Sequence, residues 1–106
     1  MSQHPEPPKA YRGFVSRFPK LGQAWDLLGE AGQEGPLDAR TARLLKLAIA
    51  IGAGREGAVH ASARKAQAMG IPAAEMEQVV ALAAGTLGMP AAVAAYRWIQ
   101  DVTEKE

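Results

Sequence analysis

Glu56 and His60 stand four residues apart. On an α-helix that spacing puts them on one face, within reach of each other. A carboxylate so placed can orient an imidazole and hold or take its proton, which is the arrangement that general acid–base chemistry uses. The same spacing also describes an ordinary surface pair, worth roughly 0.2–0.5 kcal/mol. Arg55 and Ser62 are seven residues apart, two turns along one stripe. They suit an anion, because a guanidinium grips a carboxylate through a planar fork of donors. They also suit a solvated residue at a helix start and a small residue that lets helices approach. Gly54 and Gly57 on either side of Arg55 leave it room to reach. Arg40, Arg43 and Lys46 recur at i, i+3, i+6, a spacing typical of a solvated helix face. Arg64-Lys65 is an isolated basic pair rather than a cluster. The chain has no cysteine, which removes disulfides, thiolate nucleophiles and thiolate-bound metals. His4 and His60 are its two histidines, too few for the usual zinc site. No metal and no cofactor is therefore expected.

The elements that must position these groups read as helices from Lys9 onward. The chain is rich in alanine, the best helix former, and β-branched residues never recur with period two. Residues 1–8 hold three of the seven prolines and read as a disordered lead-in. Residues 9–106 are expected to form a single domain. Two short helical pieces come first: one over residues 10–16, and one opened by Pro19 with Leu21, Ala24, Trp25 and Leu28 at amphipathic spacing. Gly29, Gly32 and Gly35-Pro36 end the second. Asp38 suits the N-cap of a third helix, whose residues 44–51 are apolar nearly all round. That pattern predicts the most buried helix of the molecule. A fourth helix is expected from about residue 56 to 69, with Gly70 as its stop. A fifth opens at Pro72, and a last one runs from about 91 to 102 after the break at Gly88-Met-Pro90. Trp25, Tyr96 and Trp98 read as core or interface anchors, and the methionines of the later helices as gap fillers.

Whole-chain properties narrow the function classes. With 106 residues, 48% hydrophobic and 22% charged, the chain has room for roughly one fully buried helix. Residues 47–54 and 79–90 both lack charge, so one of these segments is expected to be covered by another subunit. The net charge of +1 offers no basic stripe for nucleic acid. No apolar run approaches the ~20 residues of a membrane span. The opening residues show neither a basic start nor the apolar centre of a signal peptide. The expectation is a soluble cytoplasmic homo-oligomer.

Residues 37–96 resemble the carboxymuconolactone decarboxylase family, which includes the alkylhydroperoxidase D-like proteins. The landmarks are the Leu37-Asp38 opening, the Leu47-Ala-Ile-Ala run, Glu56-Gly-Ala-Val-His60, Ala66-x-x-x-Gly70, the Pro72/Glu75 helix start and Gly88-Met-Pro-Ala-Ala92. The resemblance implies an all-α bundle of five or six helices assembled as a trimer or a hexamer. The family's peroxidase branch carries Cys-x-x-Cys-x-x-x-His on one helix, plus a relay carboxylate on the helix before it. Anchored on Ala66 and Gly70, the histidine position falls at Ser62, the thiol positions at Arg55 and Ala58, and the relay carboxylate at Arg43. Every redox group is replaced, so thiol peroxidase chemistry is excluded. The decarboxylase branch needs no thiols. It acts on a lactone dicarboxylate and normally keeps a histidine where Ser62 stands.

Two readings follow. In the first, the chain keeps the family scaffold as an oligomeric domain that binds a small ligand or serves as a non-catalytic scaffold. In the second, it is a non-redox enzyme, decarboxylase-like or isomerase-like, acting on a small carboxylate. There His60 and Glu56 would be catalytic, and Arg43, Arg55 and Ser62 would bind substrate. An enzyme requires these groups to converge on one site.

Overall fold

A computed structural model describes residues 8–104. They form six α-helices: α1 (Lys9–Arg17), α2 (Pro19–Gly32), α3 (Ala39–Ala53), α4 (Glu56–Ala68), α5 (Ala73–Leu87) and α6 (Met89–Thr103). No strand occurs among the described residues. The all-α fold class with six helices therefore holds. The lead-in expected over residues 1–8 lies outside the described residues except for Pro8. No helix of the described chain is long and apolar enough to cross a membrane.

The chain divides into two compact units, one holding α1 and α2 up to Asp38, the other starting at Ala39 and holding α3 to α6. In the first, Phe18 is the joint. Its N–H closes α1 on the Phe14 carbonyl (2.9 Å), and Pro19 then opens α2 where its missing N–H costs nothing. The Phe14 and Phe18 rings lie 5.4 Å apart, and the Arg17 guanidinium sits 4.8 Å over the Phe18 ring. Neither helix of this unit has a buried residue.

In the second unit, α3 packs on α4 and α5, and α6 packs on the same two, closing a ring of four helices. Each helix turns one stripe inward. Leu47, Val59, Met76 and Ile99, one from each helix, are fully buried at its centre. α4 and α6 contribute mostly alanines, with Ala63, Ala66, Ala92 and Ala95 buried, so their backbones can run close together. The expectation that residues 44–51 form the most buried helix is not met. α3 buries Leu47, Ala50 and Ile51, whereas α4 buries Val59, Ser62, Ala63 and Ala66. Ile49 is 70% exposed and Leu45 is exposed as well. In a ring of four no helix is surrounded, so the outer face of α3 takes no part in the core of this unit.

The helix stops follow the glycines. Gly54 and Gly70 take positive φ (68° and 82°), a region that carries no penalty for a residue without Cβ. Each closes its helix with the paired bonds of a Schellman motif. Gly54 N–H donates to Ile51 and Arg55 N–H to Ala50; Gly70 N–H donates to Gln67 and Ile71 N–H to Ala66. The buried Ile71 anchors the second turn from outside the helix. Gly88 alone separates α5 from α6, which starts two residues earlier than expected because Pro90 fits within its first turn.

Candidate functional site

The Gly54 turn sets the start of the site. It swings Arg55 into the N-cap position of α4 with extended backbone (φ −104°, ψ 105°) and leaves Glu56 in the first turn. A negative charge there favours the helix dipole. One turn on, His60 Nε2 lies 3.8 Å from Glu56 Oε2 and 3.0 Å from Asp101 Oδ2. With its proton on Nε2, the ring donates to the Asp101 carboxylate. The imidazole is 24% exposed, and both carboxylates are largely in solvent.

Sequence reasoning paired His60 with Glu56 and missed Asp101, 41 residues further on, which makes the shorter contact. Only the packing of α6 on α4 brings it there. One signal did exist. Asp101 is the sole acid of α6 and lies in its last turn, where the dipole disfavours a negative charge unless a partner offsets it.

The other expected site residues lie elsewhere. At 100° per residue, the buried stripe Val59–Ala63–Ala66 divides α4 into two flanks. Glu56 and His60 occupy the flank toward α6. Ser62 and Lys65, at i, i+3, occupy the opposite one, and Ser62 is only 7% exposed. This second flank faces the cations of α3. The Lys65 ammonium is held below its usual range, first by burial and then by the charges of Arg43, Lys46 and Arg64. Burial also lowers the affinity of the Arg43 guanidinium for its proton. Arg43 Nε is buried and has no hydrogen-bond partner among the described residues. The row Arg40–Arg43–Lys46 is therefore not a uniform solvated face. Arg40 binds Glu75 of α5 through an ion pair, while Arg43 and Lys46 join Arg64-Lys65 in a basic cluster. Arg55 is exposed and forms no ion pair with another described residue.

The structure thus places Glu56 and His60, joined by Asp101, on one side of α4, and Ser62 with Arg43 and the other cations on the other side, where the buried Arg43 Nε–H has no partner among the described residues; Arg55 belongs to neither group. The α1–α2 unit adds a groove of about 430 Å³ lined by Tyr11, Phe14, Val15, Leu21, Trp25 and Leu28, apolar apart from the phenol. No thiol exists to carry a peroxide cycle.

Comparison with curated proteins and with solved structures gives no match. The model of one family does match, over residues 19–101, which takes in α2 through most of α6 and both flanks of α4. The chain belongs to the carboxymuconolactone decarboxylase family.

Proposed function

We propose that this chain is an oligomeric, non-redox member of its family that binds a small carboxylate at the α3–α4 flank, with Arg43 as the principal contact. One observation carries the reading: the buried Arg43 Nε–H has no acceptor, in a cluster whose charges are all positive. A buried donor without a partner costs roughly 1–3 kcal/mol, and a bound carboxylate would remove that cost. Lys65 and Ser62 lie on the flank that would close around it, and Arg55 stands exposed at the α4 N-cap as a second cation.

The alternative, a decarboxylase-like or isomerase-like enzyme, draws on His60 and Glu56 together with Arg43, Arg55 and Ser62, and of these Arg43 and His60 are set apart. Their separation onto opposite flanks of α4 supports binding instead. Assembly as a trimer or hexamer is part of the proposal. Ile49 of α3, Leu82 of α5 and Met89 of α6 are 70%, 73% and 67% exposed, large apolar side chains that a second subunit would cover.

Calorimetric titration with succinate, a small dicarboxylate probe, tests the site. Wild type is expected to bind it, and Arg43→Met and Arg43→Lys to bind at least tenfold more weakly, because lysine lacks the fork. Circular dichroism would check that both variants keep their helices. Binding that is absent in wild type, or unchanged in Arg43→Met, would refute the assignment.

A further inference from the structure

We infer that Glu56, His60 and Asp101 form a binding site for a first-row divalent cation of the Zn²⁺ or Mn²⁺ class, joining the first turn of α4 to the last turn of α6. This site lies on the flank of α4 opposite the basic cluster, and the inference does not rest on the carboxylate reading.

The geometry is that of three ligands around one point. Both carboxylates approach the same ring nitrogen, at 3.0 and 3.8 Å, and one ligand atom from each residue lies within 4.8 Å of the other two. A single N–H on Nε2 can satisfy only one of these oxygens, whereas a shared cation satisfies all three groups. With metal–ligand bonds of about 2.0–2.2 Å, neighbouring ligand atoms stand roughly 3–3.6 Å apart. The two contacts to the ring are near that spacing. The exposed Glu56 side chain can close the rest without disturbing the core.

Charge points the same way. Neither carboxylate has an ionic partner other than His60 among the described residues. Asp101 stands at the negative end of the α6 dipole, which opposes its own charge and favours a cation beside it. The donor set selects the metal. One imidazole nitrogen suits zinc, iron or nickel, two carboxylate oxygens suit manganese as well, and magnesium or calcium would take oxygen alone. Three protein ligands leave coordination positions open to water. The expectation of no metal rested on the histidine count, whereas in this group carboxylates stand in for further histidines and Asp101 comes from a helix distant in sequence.

The test is titration of Zn²⁺ into the full chain in phosphate-free buffer, followed by calorimetry. One equivalent per subunit is expected. Asp101→Asn, Glu56→Gln and His60→Gln should each weaken it at least tenfold, and His4→Ala should leave it unchanged. Because all three residues lie outside the core, circular dichroism of the variants should match wild type. A second readout needs no variant: Mn²⁺ should broaden amide signals around residues 56–60 and 99–103 before any others. Failure to bind Zn²⁺ at millimolar concentration would overturn the site. So would binding that survives Asp101→Asn, binding that depends on His4, or Mn²⁺ broadening centred elsewhere.

Discussion

Burial and three neighbouring cations act together on the Lys65 ammonium, and its response to pH follows. Its folded-state pKa lies below the unfolded value, so between the two the unfolded chain binds more protons and stability rises with pH. At pH 7 the charged side chain is therefore a destabilising element of the native state. Lys65→Met is expected to raise the melting temperature at pH 7 by roughly 2–4 °C at fixed protein concentration, an advantage that shrinks as pH climbs toward the usual lysine range. A variant that melts below wild type at pH 7, or whose gain is constant to pH 10, would contradict this electrostatic account. At the same scale, peroxide turnover with a dithiol reductant should be nil for the metal-free protein, since methionine thioethers cannot run a sulfenic acid and disulfide cycle. Individual residues were only partly legible in the sequence. Glu56 and His60 share a face because four residues make a turn, and that is local geometry. The basic cluster is not local. Arg43 and Lys46 meet Lys65 only after α3 and α4 pack, which is why Arg64-Lys65 reads as an isolated pair along the chain.

The helices themselves were easier to read than their surroundings. Gly70, Pro72 and Pro19 set ends through backbone chemistry that acts within a few residues, and the structure places those ends where expected. Gly70→Ala is expected to cost about 1–2 kcal/mol in urea unfolding, because alanine resists the positive φ that the α4 stop requires. A cost near zero would mean that the turn has another conformation open to it. Which helix is buried depends on how closely its neighbours approach, and apolar content does not report that. α3 is the more apolar, yet α4 is the more buried because its small residues admit both α3 and α6. Ala95, 1% exposed on α6, tests this close packing. Ala95→Leu should destabilise by about 1–3 kcal/mol through overpacking. It should also lengthen the His60–Asp101 contact, visible as loss of Zn²⁺ binding alongside the lower stability.

At the scale of the whole molecule, Ile49 of α3, Leu82 of α5 and Met89 of α6 leave large apolar side chains exposed, and the proposed assembly would cover them. Light scattering is expected to give three or six times the subunit mass, and Leu82→Glu to shift that mass toward one. A monomer at micromolar concentration would remove the oligomer from the account. The proposed assembly and the proposed ligand are separable, and the functional proposal stands or falls with the ligand, a small carboxylate held at the Arg43 guanidinium. The most direct measurement is the ¹⁵N–¹H signal of Arg43 Nε during a succinate titration. This proton is expected to move downfield and to exchange more slowly with water as its missing acceptor arrives, while the His60 ring signals stay in place. An Arg43 Nε–H signal that does not move at saturating succinate, or a response confined to His60, would contradict the proposal.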